Sequence, residues 1–186
     1  MVKGEEVITY SNWITPEEIK EIEQTVIAKE KYVLSLPTRW KNGFTGLTNK
    51  FASYNWLDDF DFLVPKLKNI LETPHVVQCW ANLLREGEGV PRHKHGVTKE
   101  ASFKCGNLFI SGEESIGTEY DWIGNVPSTP GDLQWFGCKL FHEVKPNTSK
   151  KYRISLAFDC HKIKEDMSIE DPAYQALPSI AEFREV

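Results

Sequence analysis

From residue 75 onward the chain breaks into short apolar and aromatic runs divided by Gly and Pro, with no helical period between them. The runs span residues 75–85, 102–111, 133–136, 139–144 and 152–160. Strands in such close succession pair antiparallel, because a parallel pair needs a crossover long enough to hold a helix. The pattern therefore restricts this half of the chain to a sandwich or barrel. In the last run Tyr152, Ile154, Leu156 and Phe158 alternate with Arg153, Ser155, Ala157 and Asp159. Successive side chains of a strand point to opposite faces, so that sheet has two chemically different sides.

The first part of the chain reads differently. A short apolar stretch at residues 6–10 leads to Thr15-Pro16-Glu17-Glu18, the parts of a helix start. Thr15 can cap, Pro16 suits the first helical position, and Glu18 completes a capping box. Ile19, Ile22, Val26 and Ile27 follow at helical spacing, which predicts one packed face, with Lys20, Glu21, Glu23 and Lys29 toward water. Phe60, Leu63, Val64, Leu67 and Leu71 repeat the pattern, and Pro65 is compatible with it only if the helix begins about there. Thr73-Pro74 ends it. Between the two helices, residues 36–56 show no clean period and read as a long loop or irregular strands. Beyond His161 the chain is acidic, contains Pro172 and Pro178, and is expected to run over the surface. No repeat or linker divides the sequence, so one domain over residues 1–186 is expected. Within it, residues 1–74 give a strand, helices and a possible lid, 75–160 the barrel core, and 161–186 a tail.

Composition narrows the function classes. A chain of 186 residues can bury a core without disulfide or metal staples. Its 22 Lys and Arg against 27 Asp and Glu give a net charge of −5, with no long basic run, so a nucleic-acid clamp is not expected. The longest uncharged stretch, residues 73–84, holds 12 residues, too few to cross about 30 Å of hydrocarbon as a helix. Acids in MVKGEEVITY stand where a signal peptide would be apolar, so an intracellular location is expected. Cys79, Cys105, Cys138 and Cys160 include no C-x-x-C pair and read as reduced core thiols. Oligomeric state is not legible.

The sharpest local signal is Pro91-Arg92-His93-Lys94-His95-Gly96. On an extended strand His93 and His95 point to one face, so both imidazoles can meet one cation. A third histidine, His142, follows in Phe141-His142-Glu143-Val144. Imidazole suits Fe, Cu, Ni and Zn, and three histidines leave coordination positions open. His75 and His161 have no such companions. Arg153 stands 11 positions after His142, with Ser155 on the same strand face. A guanidinium turned into a barrel is costly to bury alone, and a small dicarboxylate would relieve it; turned to solvent it needs no partner.

The ordered set of His93-x-His95, GDLQWFGCKLFHEV and YRISLAFD resembles the 2-oxoglutarate- and Fe(II)-dependent oxygenases, in particular the prolyl-4-hydroxylase-like branch, where HxD…H is followed by Arg or Lys and then x-Ser. The resemblance covers about residues 75–160, and ITYSNWITPEEIKEIEQ is similar to the strand and helix that precede the barrel in that branch. It implies a mainly β fold with flanking helices, a double-stranded β-helix of jelly-roll or cupin type. It further implies that His93 and His142 bind Fe(II) and that Arg153 and Ser155 grip the distal carboxylate of 2-oxoglutarate. Trp80 and Asn82 fall where the family often places cosubstrate-pocket residues. The activity implied is hydroxylation of a small-molecule or peptide substrate, a prolyl-like side chain among the options.

One position departs from the pattern, since the carboxylate expected at residue 95 is His95. A neutral third ligand leaves the metal centre one unit more positive, strengthening its hold on an anionic cosubstrate and weakening its support of oxidised iron. Glu86, Glu88 or Glu100 could instead supply the carboxylate. Gly87-x5-His93-x-His95-x4-Glu100-x5-Gly106 also nearly matches a first cupin motif, which keeps open a cupin-type metalloprotein that does not use 2-oxoglutarate; the second cupin motif fits poorly around Gly137, His142 and Asn147. A non-catalytic barrel that only binds is the third option. Six Trp, six Tyr and ten Phe are many for such a chain. Trp80, Phe103, Phe109, Trp135, Phe136, Phe141, Tyr152 and Phe158 fall on or beside the predicted strands. Trp40, Phe44, Tyr54 and Trp56, with Lys41, fall between Arg39 and Trp56, where a lid over the site and a plug on the barrel flank are both open readings.

Overall fold

The computed structural model describes residues 6–38, 43–72, 74–96, 102–162 and 184–186. Its strands are β1 (Ile8–Tyr10), β2 (His75–Leu84), β3 (Val90–His93), β4 (Lys104–Ser111), β5 (Thr118–Tyr120), β6 (Gly124–Val126), β7 (Leu133–Gly137), β8 (His142–Val144), β9 (Arg153–Lys162) and β10 (Arg184–Glu185). Helices α1 (Pro16–Ser35) and α2 (Leu63–Ile70) precede β2. All pairings are antiparallel, in a larger sheet ordered β1-β7-β4-β9-β2-β10 and a smaller one ordered β3-β8-β5-β6. From β2 to β9 the chain passes back and forth between the two sheets, the winding of a double-stranded β-helix, or jelly roll.

Alternation on β9 assigns the two faces of the larger sheet. Its outer face carries Cys79, Phe158 and Trp135 in one register row and Ala81, Leu156, Leu108 and Leu133 in the next. These residues form one apolar cluster with Ile22, Val26 and Val33 of α1 and Leu63 and Leu67 of α2. Gly106 lies in the first of those rows because the rings of Trp135 and Phe158 close over it, leaving no room for a side chain. The inner face carries Gln78, Asp159, Cys105 and Phe136 in one row, then Trp80, Ala157, Asn107 and Gln134, then Asn82, Ser155 and Phe109, and finally Leu84 beside Arg153. Polar groups are thus concentrated in the interior between the sheets, beside a smaller apolar cluster of Cys105, Tyr120, Phe136, Cys138 and Leu140, and the main apolar core lies outside it, under the helices.

Helix α1 starts at the expected box: Thr15 accepts from the Glu18 backbone N–H at 3.3 Å, and the Glu18 carboxylate accepts from the Thr15 N–H at 2.7 Å. It stops where Pro37 forces Leu36 into an extended conformation. Ile27, expected on the packed face, is exposed, because Ile22, Val26 and Val33 already define the buried stripe. In α2, Pro65 occupies the first turn, where its missing N–H costs nothing. The segment before α2 forms two 3-10 turns, Gly46–Lys50 and Trp56–Asp58, rather than irregular strands. Residues 39–42 of the possible lid lie outside the described residues, as does most of the tail, whose end pairs as β10 with β2. Tyr152 precedes β9 and is exposed, and the expected run 139–144 narrows to β8 after a turn closed by the Leu140 N–H on the Gly137 carbonyl.

Candidate active site

Strand β3 is held in place from outside. Arg92 donates twice to Asp121, its Nε at 3.0 Å, and its guanidinium lies 4.0 Å from the centre of the Phe141 ring. Alternation then turns His93 inward, directly opposite His142 on β8, with ring centres 4.4 Å apart. His95 lies just beyond the end of β3, where its backbone N–H donates to the Cys138 carbonyl at 3.0 Å. The ligand nitrogens of His93, His95 and His142 all lie within 4.8 Å of one another.

Each ring has one nitrogen already engaged. His93 Nδ1 lies 2.8 Å from the Pro91 carbonyl, His142 Nδ1 3.0 Å from the Leu140 carbonyl, and His95 Nδ1 2.5 Å from Asp159 Oδ1. A carbonyl accepts only from N–H, so Nδ1 carries the proton in His93 and His142 and Nε2 keeps its lone pair. Burial, reinforced by the neighbouring His95, pushes His93 down to about 4 and His142 well below its usual value. Both are therefore neutral near pH 7 and need lose no proton to bind a cation. The cluster fits an iron site of HxH type.

The second feature is Arg153, fully buried on the inner face of β9. Its Nε donates to the Ile116 carbonyl at 3.0 Å, and its terminal nitrogens lie 3.4 Å from the hydroxyls of Ser155 and Thr118. The guanidinium sits 5.3 Å from the centre of the Phe109 ring. Among the described residues no carboxylate forms an ion pair with it, and burial lowers its pKa to about 10. The reading of Arg153 as a solvent-facing residue does not hold. A charge buried with only neutral partners is costly, and an anion relieves it.

A chain of polar contacts continues from Arg153. Ser155 accepts from Asn82 at 3.3 Å, Asn82 accepts from Thr48 at 2.8 Å, and Thr118 accepts from Asn107 at 2.8 Å. Trp80 lies 5.4 Å from His95 and 5.9 Å from Phe51, ring centre to ring centre. The aromatic segment divides: Trp56 is core, stacked on Phe60, whereas half-buried Phe44 meets the His93 ring edge-on at 5.0 Å. Among the alternative carboxylates, Glu86 is exposed and Glu88 accepts from the Arg85 N–H in the turn after β2, so neither joins the histidines; Glu100 lies outside the described residues.

No family model matches this sequence, and no curated protein matches it. Solved structures do. A Pseudomonas putida prolyl-4-hydroxylase superposes with a TM-score of 0.58 at 13% identity, over 86% of this chain and 94% of the other. The viral collagen prolyl hydroxylase of Paramecium Bursaria Chlorella virus-1, in its 2OG complex, gives 0.55 at 15% identity over 87% and 98%. The epimerase SnoN, in complex with Fe3+, alpha ketoglutarate and nogalamycin RO, gives 0.61 at 11% over 85% and 79%. The chain has the fold of the 2-oxoglutarate-dependent oxygenases. On that oxygenase fold the three histidines and the buried guanidinium face one interior.

Motif reading did not single out Asn107, Thr118, Tyr120, Gln134 or Asp159. Tyr120 lies 5.8 Å from His142, ring centre to ring centre, and donates to Gln134 at 2.8 Å, and burial raises its pKa. Asn107 and Asp159 were within reach, since alternation places them on the inner face. Thr118 and Tyr120 sit on a three-residue strand without a pattern of its own.

Proposed function

We propose that this chain is a 2-oxoglutarate- and Fe(II)-dependent dioxygenase, working as one domain, that hydroxylates a C–H bond of a small molecule or a peptidyl, prolyl-like side chain. The observation that carries this reading is Arg153, a buried guanidinium with no ion-pair partner among the described residues, in the same interior as His93, His95 and His142. A cation alone would explain the histidines. It would leave Arg153 unexplained, whereas an anionic cosubstrate accounts for both.

In this reading the Nε2 atoms of His93, His95 and His142 hold iron, and Arg153 with the Ser155 hydroxyl takes the distal carboxylate. Asn82, fixed by Thr48, orients Ser155, and Trp80 walls the pocket beside His95. When bound, iron and 2-oxoglutarate supply the oxidising chemistry, in which O2 is split between substrate hydroxyl and succinate. The protein fixes geometry, and the apolar rings of Phe44, Phe109 and Phe136 limit water around the reacting centre. Phe44, edge-on to His93, and the 3-10 turn Gly46–Lys50, whose Thr48 bonds Asn82, flank the histidines and the anion pocket in this reading.

The test is to load the protein with Fe(II) without oxygen, measure 2-oxoglutarate binding, then admit air and quantify succinate across peptide and small-molecule panels. Binding followed by succinate supports the reading. Absence of both removes it, and metal binding with no response to 2-oxoglutarate favours the cupin-type alternative.

A further inference from the structure

One buried group near the histidines has no part in that reading. Asp159 stands on the inner face of β9, opposite Gln78 on one side and Cys105 on the other. Its Oδ1 contacts His95 Nδ1 at 2.5 Å and accepts from Cys105 Sγ at 3.2 Å. The side chains of His95 and Asp159 are 8% and 14% exposed, so solvent does little to screen the pair. Asp159 is the only carboxylate among the described residues to contact any of the three histidines.

We infer that Asp159 is a positioning residue that supplies, through His95, the negative charge that a directly ligating carboxylate provides in a two-histidine, one-carboxylate iron site. This rests on the iron-binding reading above. Charge arithmetic makes the case. Three neutral imidazoles around a dication leave two positive units, and one ionised carboxylate a single hydrogen bond away brings the local total to one, as a ligating carboxylate would. The hydrogen bond also fixes His95 with its proton on Nδ1 and its lone pair on Nε2, and an imidazole donating to a carboxylate is a stronger electron donor to its metal. Position matters as well. His95 lies beyond the end of β3 and is not oriented by strand pairing, whereas Asp159 is built into the middle of the long β2-β9 ladder. The larger sheet thus sets the orientation of a ligand carried by the segment after the smaller one.

The probe is Co(II), titrated without oxygen into chelator-treated protein and read by its visible absorption and by competition with a chromophoric chelator. Wild type is expected to bind one ion. Asp159→Asn keeps shape and acceptor oxygen but loses the charge, and is expected to bind about 10- to 100-fold more weakly, with an unloaded melting temperature close to wild type. His95→Asp combined with Asp159→Asn restores one ligating carboxylate and is expected to recover affinity. Wild-type affinity in Asp159→Asn overturns the inference and leaves the iron reading intact; no binding by wild type overturns both. If the variants do not fold, nitrogen NMR of Zn(II)-loaded wild type decides. His95 with Nδ1 protonated and Nε2 on zinc supports the inference, and zinc on Nδ1 or on Asp159 overturns it.

Discussion

At the scale of single residues, the site combines groups that folding alone disfavours. Arg153 donates to one carbonyl and two hydroxyls and meets no carboxylate among the described residues, an arrangement suited to hold an anion. Arg153→Met is expected to abolish stabilisation by 2-oxoglutarate, leave Co(II) binding intact, and change the melting temperature of the unliganded protein little. The relief of an unpaired buried charge offsets the hydrogen bonds lost. Thermal melts with and without each ligand check this, and a retained 2-oxoglutarate shift refutes the assigned role. The histidines give a pH prediction. His93 falls to about 4 and His142 well below 6.5 in the folded chain, chiefly through burial. The unfolded chain therefore binds more protons below pH 6.5, and folding stability rises with pH through the window from about 4 to about 6.5. Metal-free protein is expected to show a lower urea midpoint at pH 5 than at pH 7, and equal midpoints count against it. Histidine order, the Arg153-x-Ser155 pair and the odd position of His95 were all legible, because alternation and chain order survive folding. The partner that makes sense of His95 was not. Asp159 was visible on the right face, but its contact with residue 95 spans 64 positions and depends on where the turn after β3 ends.

At the scale of elements, the long strands and both helices were readable because each carries a full period of apolar positions. Strands β3, β5 and β6 were not: Val90-Pro91-Arg92-His93, Thr118-Glu119-Tyr120 and Gly124-Asn125-Val126 have no strand pattern and exist through their pairing. Two substitutions test how the outer layer sits. Thr15→Ala removes the side-chain half of the α1 capping box and is expected to cost about 1 kcal/mol, read as a lower urea midpoint at unchanged slope. Gly106 belongs to the near-cupin spacing, but packing gives a sufficient reason for it. A methyl group there would stand 3.0 Å from the Trp135 ring and 3.1 Å from the Phe158 ring, both on the outer face under the helices. Gly106→Ala is expected to destabilise by about 1–3 kcal/mol through overpacking. A neutral result would mean that the rings shift freely and that the core between sheet and helices is looser than its burial indicates.

At the scale of the whole molecule, the two sheets contribute different halves of the candidate site. His93, His142 and the His95 segment belong to the smaller sheet and its continuation, whereas Arg153, Ser155 and Asn82 belong to the larger. Metal and anion are two ligands of these halves, and by linkage whatever factor one changes in the other's affinity is returned in equal measure. A dicarboxylate held by Arg153 gains from a metal on the histidines only if its other end reaches that metal. 2-Oxoglutarate has a 2-oxo acid there and glutarate does not. The two ligands are therefore expected to separate when melting is followed with no addition, with Co(II), with either acid, and with both together. A ligand at 100 times its dissociation constant stabilises by about 2.7 kcal/mol, which for a domain of this size raises the melting temperature by roughly 5–10 °C. With Co(II) present, 2-oxoglutarate is expected to shift the melt by more than the sum of the two separate shifts, and glutarate by no more than the sum. Strict additivity for both acids would mean that the histidines and the guanidinium serve different ligands, and would separate the metal site from the anion site on this barrel.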